Sequence, residues 1–110
     1  MDNSVKLGKI SKSYFGFGGY NEGMIGLSIT LSGKDWLCSD FIGFWYNERS
    51  PYAQWSEQDQ TNEFARIVHK ISDLLKQANV SNVDRLTGVP VEVTFSNNTL
   101  HSWRILTEVI

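Results

Sequence analysis

The stretch that decides the fold is residues 56–80, SEQDQTNEFARIVHKISDLLKQANV. Phe64, Ile67, Val68, Ile71, Leu74, Leu75 and Ala78 recur on a 3.6-residue period and form one apolar stripe. Glu57, Asp59, Arg66, His69, Lys70 and Asp73 fall off it, on the face expected to be wet. Ser56 and Asp59 stand at capping-box spacing, and Glu57 and Asp59 put negative charge where the helix dipole favours it. At the far end Asn79 suits a left-handed cap, with Val80 supplying the apolar contact that follows. Burying the six large stripe residues is worth at most about 9–18 kcal/mol, far more than any surface ion pair supplies. The helix must therefore lie on something apolar, and the flanking segments are what the chain offers.

Those segments read as strands. Lys6–Phe17 alternates imperfectly, with Ile10 and Tyr14 pointing one way and Phe15 and Phe17 the other. Gly18-Gly19 suits a tight hairpin turn. Gly23–Leu31 is cleaner, with Ile25, Leu27, Ile29 and Leu31 on one side. After a turn at Ser32–Asp35, Trp36–Tyr46 is a third strand, interrupted by Asp40. Asn47–Trp55 is a loop leading to the helix. Beyond the helix, Ser81 and Asp84 repeat the capping pattern over a short turn that Gly88 closes. Val91–Phe95 and Leu100–Val109 then form a hairpin. A three-residue loop, Asn97–Thr99, pairs Val93 with Trp103 and Val91 with Ile105 and gathers the apolar residues on one face. A two-residue loop would not, so the first register is expected. The order β-β-β-α-β-β predicts an α+β fold in a single domain, residues 1–110, with an antiparallel sheet and the helix packed on one face.

Composition narrows the function. A chain of 110 residues hides roughly 65% of its unfolded surface and needs no metal or disulfide staple. A formal net charge of −2 and dispersed Lys and Arg argue against a nucleic-acid binder. The loose cluster Lys6, Lys9 and Lys12 reads as an exposed or edge strand face rather than a phosphate track. Cys38 stands alone and reads as a small buried hydrophobe, so neither a disulfide nor a cysteine metal site is expected. No signal region and no membrane-length apolar run is present, which predicts a cytoplasmic chain. Asn79-Val80-Ser81 and Asn97-Asn98-Thr99 match the glycosylation sequon, but turn geometry explains both asparagines better. Aromatic residues are 13% of the chain, more than a small core readily hides, so part of that area is available for contact.

Two constellations are candidate sites. In Phe17–Gly23, flexible glycines allow backbone N–H groups near an anion with Tyr20 stacked on a base, and Asn21 and Glu22 beside it. The plainer reading is a glycine turn packed by aromatics, since neither dinucleotide nor P-loop spacing is present. Around the loop before the helix stand Trp45, Tyr46, Glu48, Arg49, Tyr52 and Trp55, of the types enriched in interface hot spots. The plainer reading there is that Trp45 and Trp55 cap the core. His69 and His101 are too isolated for a zinc site or a Cys/His nucleophile, and no cofactor is expected. Among the carboxylates Glu22, Asp40, Glu48, Glu92 and Glu108, nothing in the spacing forces a catalytic pair. Asp40, amid apolar neighbours, either points outward or has a buried partner, with Arg49 or Arg104 in view.

YFGFGGYNEGM from Tyr14, continuing as IGLSITLSGKDW, together with WSEQD from Trp55 and VPVEVTFSNNTLHSWRILTEVI from Val89, resembles a family of small uncharacterised proteins of tailed bacteriophages and prophages. The resemblance covers most of the chain and carries no activity, so it transfers no catalytic residue. It implies a non-enzymatic accessory protein that binds a host or defence-system protein in the bacterial cytoplasm. Homo-oligomerisation through an edge strand is a companion expectation. The alternative is a protein that binds or sequesters a nucleotide-type small molecule between Tyr20, the glycine loop and an arginine.

Overall fold

The computed structural model of the protein describes residues 3–46 and 54–110. Five strands form one antiparallel sheet: β1 (Asn3–Gly18), β2 (Met24–Gly33), β3 (Trp36–Trp45), β4 (Pro90–Ser96) and β5 (Thr99–Ile105), in the order β3-β2-β1-β4-β5. Helix α1 (Glu57–Ala78) lies on one face. The α+β architecture and its element order follow the sequence reading.

The helix ends are made as the sequence dictates. Ser56 Oγ accepts from the Asp59 N–H at 3.0 Å, and the Asp59 carboxylate accepts from the Ser56 N–H at 2.8 Å. Asn79 is left-handed at φ 57°, and the Val80 N–H returns to the Leu75 carbonyl at 3.0 Å. Ile67, Leu74 and Ala78 are buried, with Ile71 and Leu75 packed beside them. Leu74 and Ala78, with Ile71 and Leu75 beside them, join Ile10, Leu27, Ile29, Leu31, Val91, Val93 and Ile105 of the sheet in one core. Val68 departs from the predicted stripe and is 64% exposed.

The sheet curls so far that its opposite edges meet. Trp36 of β3 packs edge-on against Phe95 of β4 at 5.4 Å. Trp103 of β5 donates from Nε1 to the Asp40 carboxylate of β3 at 2.8 Å. Asp40 is thus partnered by an indole N–H, and Arg104 lies elsewhere, with Glu92 and Glu108.

Bulges account for several departures from simple alternation. On β1 the pairing with β2 slips between Ile10 and Lys12, inserting Ser11. That slip puts Ile10 on the same, concave face as Phe15 and Phe17, and leaves Tyr14 on the other. On β5, the turn is two residues long, with Asn97 and Asn98 at φ 52° and 65°. His101 is then bulged, and the slip delivers Val93 opposite Trp103 and Val91 opposite Ile105. The expected register is reached by a two-residue turn plus a bulge rather than by a three-residue loop.

Three boundaries differ from expectation. The link after β1 is a one-turn 3-10 helix, Tyr20–Glu22, between Gly19 and Gly23, not a tight Gly18-Gly19 turn. Strand β5 stops at Ile105 and is followed by a short 3-10 turn, Thr107–Val109. The turn after α1 is capped by Asn82, whose side chain accepts from the Arg85 N–H, rather than by Ser81.

Candidate binding surface

Strand β1 is long because it serves two partners in succession. Asn3–Lys9 pairs with β4, and Lys9–Gly18 pairs with β2. Where β4 begins, the chain turns away: the Ile10 N–H donates to Val89 O at 2.9 Å, and the Gly88 N–H to Ile10 O at 2.7 Å. The short turn Val83–Leu86 then covers the next stretch, with Ser13 Oγ donating to Val83 O at 2.8 Å. Past that point, among the described residues, Tyr14–Gly18 is paired to β2 alone. Among the described residues one side of its backbone has no strand beside it, and the Phe17 carbonyl accepts from the Tyr14 hydroxyl at 2.9 Å.

Apolar side chains crowd this edge. Phe15 and Phe17, on the concave face, are 51% and 53% exposed. A wholly apolar hollow of about 220 Å³ lies between Phe15 and the helix, lined by Phe15, Ile25, Phe64, Ile67 and Val68. Farther along α1 a larger open groove of about 520 Å³ continues from Val68 past Ile71 and Leu75 to Val80. Val68, exposed, borders both hollows. On the convex face Gly16, Gly26 and Gly43 form a row across three strands, and the rings of Tyr14 and Phe41 lean over its two ends. That is the aromatic cover by which glycine-bearing strands recover packing.

Trp45 and Tyr46 of the second constellation are brought to the same end of the sheet as the glycine turn. The Tyr46 N–H donates to Gly23 O at 3.2 Å, tying the end of β3 to the glycine turn. The Tyr46 ring sits 4.7 Å from that of Phe17. Trp45 lies against Gly23 so closely that a side chain there would strike its ring at 2.9 Å. The Trp45 carbonyl accepts from Gln60 Nε2 at 2.8 Å, which fixes the helix entry to the strand end. Phe44 and Trp55 meet edge-on at 5.7 Å, as residues that cap the core would. Tyr20 stands 77% exposed. Asn21 and Glu22, both left-handed, hold the turn, and Glu48, Arg49 and Tyr52 lie outside the described residues.

The turn itself is poorly set for an anion. The Glu22 N–H donates to Gly19 O at 3.2 Å and the Gly23 N–H to Tyr20 O at 3.0 Å, so these donors point into the turn. Cys38 is half-buried, and burial, aided by the nearby Asp40 charge, pushes its thiol above the ordinary range. It stays protonated and unreactive at neutral pH. Among the described residues no group of His, Cys, Asp and Glu could hold a metal ion, and no helix is long and apolar enough to cross a membrane.

Sequence reasoning passes over Phe15 and Val68 as contact residues, and places Phe17 in the glycine stretch without giving it a contact role. The available signal is the excess of aromatic residues, together with a helix stripe wider than three buried positions require. No family model, no curated protein and no solved structure matches the chain.

Proposed function

We propose that the protein is a non-enzymatic binding protein that engages a polypeptide partner by strand addition at the open edge of β1. The observation that carries this reading is the edge at Tyr14–Gly18, left without a second neighbour among the described residues and flanked by half-exposed Phe15 and Phe17. A strand laid along it gains main-chain hydrogen bonds, while its inward side chains enter the apolar hollow beneath Val68. That hollow is hydrocarbon, suited to burying a side chain and not to moving a proton. The resemblance to phage accessory proteins supplies a context, a host or defence-system protein of the bacterial cytoplasm. The nucleotide-type reading draws less support, because two N–H groups of the turn beside Tyr20 are already spent.

The test is affinity capture of polypeptides, this chain itself included, from bacterial cytoplasm. The wild type is compared with the double variant Phe15→Glu/Phe17→Glu and with Leu37→Glu, a control on an exposed residue elsewhere (72% exposed). Capture lost in the first and kept in the control is expected. Equal capture by all three proteins overturns the reading.

A further inference from the structure

We infer that the strand taken up by the β1 edge is that of a second copy of this chain, paired antiparallel about a two-fold axis at Gly16. The inference rests on the reading above and names the partner.

The edge is complementary to itself. An antiparallel pair centred on Gly16 sets Phe15 opposite Phe17 of the second copy, and Tyr14 opposite Gly18. On the concave side the result is a four-ring ladder of cross-strand aromatic pairs, the kind that stabilises antiparallel sheets. On the convex side Tyr14 stands opposite Gly18 of the other copy; the Tyr14 hydroxyl donates to the Phe17 carbonyl of its own strand at 2.9 Å and Gly18 is already covered by Phe41, so no two bulky side chains oppose one another there. Gly16 itself meets Gly16, so nothing at the axis keeps the backbones apart.

Charge favours the same arrangement. Lys12 lies on one side of the axis, and Glu22 on the other, in the turn after β1. Antiparallel pairing brings the Lys12 end of one copy alongside the Glu22 turn of the next. A parallel arrangement superposes like on like. Such charges select orientation more than they add affinity.

Area sets the strength. At about 200 Å² per aromatic side chain, the exposed parts of Tyr14, Phe15, Phe17, Tyr20 and Tyr46 offer about 500 Å². A stable interface of standard size buries about 800 Å² per partner. Val68 and the paired backbone supply part of the difference, so the dimer is moderate in affinity and its population follows concentration.

The experiment is mass against concentration for the full chain, by sedimentation equilibrium. A rise from 12.5 kDa toward twice that value is expected. Phe15→Glu/Phe17→Glu, which sets carboxylates opposite one another, should raise the dissociation constant about tenfold or more. Phe15→Glu/Phe17→Lys, which sets opposite charges face to face in this register, should recover dimer. In a Cys38→Ser background, Gly16→Cys should cross-link to itself under mild oxidation, while Ser102→Cys on β5 should not. A dimer that the charge reversal does not restore, or that Gly16→Cys does not cross-link, overturns the register and with it the inference. A chain that stays monomeric overturns it too. In that case, capture abolished by Phe15→Glu/Phe17→Glu leaves the strand-addition reading standing with a foreign partner, and capture indifferent to those changes removes both.

Discussion

Strand β1 differs between its two halves on the concave face: the first runs into the core at Ile10 while its convex Val5 and Leu7 stay exposed, and the second presents Phe15 and Phe17 half in water. From Asn3 to Ile10 it has β4 alongside, and the curl of the sheet folds Trp36 and Phe95 over its concave face. Ile10, at the end of that half, is wholly buried. From Tyr14 to Gly18 β2 replaces β4 as the strand's one neighbour among the described residues, and Phe15 and Phe17 are half in water. Composition does not separate the halves, because the open one is the more aromatic. Each half has one strand beside it, and what separates them is the curl, which brings Trp36 over the first half at Gly8.

The sharpest way to break that contrast is to truncate one apolar side chain in each half. Ile10→Ala should cost about 2–5 kcal/mol, the range for emptying a closed core site. Phe17→Ala, which removes a larger side chain with only its inner half buried, should cost about 1–2 kcal/mol. Urea denaturation of the two variants gives the comparison directly. If Phe17→Ala is the more damaging, the second half of β1 is core after all, and the binding surface is misplaced.

The glycines sharpen the same point at smaller amplitude. An added Cβ at Gly8 would overlap the Ser32 carbonyl oxygen and the Trp36 ring, where curl has brought β3 over the strand. Gly8→Ala should therefore destabilise by about 1–3 kcal/mol, the cost of overpacking. At Gly16 the same atom meets only the Tyr14 ring, at 3.3–3.5 Å. Gly16→Ala should be neutral or stabilising by up to about 1 kcal/mol, through the reduced freedom of the unfolded chain. Thermal melts of the pair measure the difference, and equal losses would mean that both halves are packed alike.

Much of the architecture was legible because the decisive signals are local. The helix with both caps and the order of elements along the chain follow from periodicity and capping chemistry, and the Val93–Trp103 pairing from gathering the apolar residues on one face, although its turn is not the one expected. What escaped depends on bulges, which insert a single residue without a marker. Ser11 reverses the parity of β1, so Ile10 and Phe15 share a face that alternation assigned to opposite sides. His101 does for β5 what a longer loop was expected to do. The site was legible in part. Tyr20, Trp45 and Tyr46 were singled out from residue type, yet their meeting at one end of the sheet is set by the Gly23–Tyr46 hydrogen bond, between residues far apart in sequence. Val68 keeps the period of the helix but lies at the mouth of the hollow beside Phe15, Ile25 and Phe64, which periodicity alone does not reveal.

The smallest expected effect asks whether charge, rather than packing, closes the first half of β1. On the convex face beside it, Arg104 bonds the carboxylates of Glu92 and Glu108, at 3.1 and 3.0 Å. The hydrogen bond from Arg104 holds the Glu108 carboxyl below its ordinary value of 4.5, and its two partners raise the guanidinium beyond any working pH. A carboxyl depressed in the folded state lends stability that is present above its unfolded value and lost as pH falls through the folded one. The melting difference between wild type and Arg104→Ala should thus be small at pH 7 and vanish as acid is added below 4.5. Salt should shrink it as well, since all three groups face water. A loss at neutral pH rivalling that of Ile10→Ala would show that the ion cluster holds β4 and β5 to the sheet. The contrast between the halves of β1 would then lie in surface electrostatics, and the open edge would have to be sought where charge, not a missing strand, leaves the backbone uncovered.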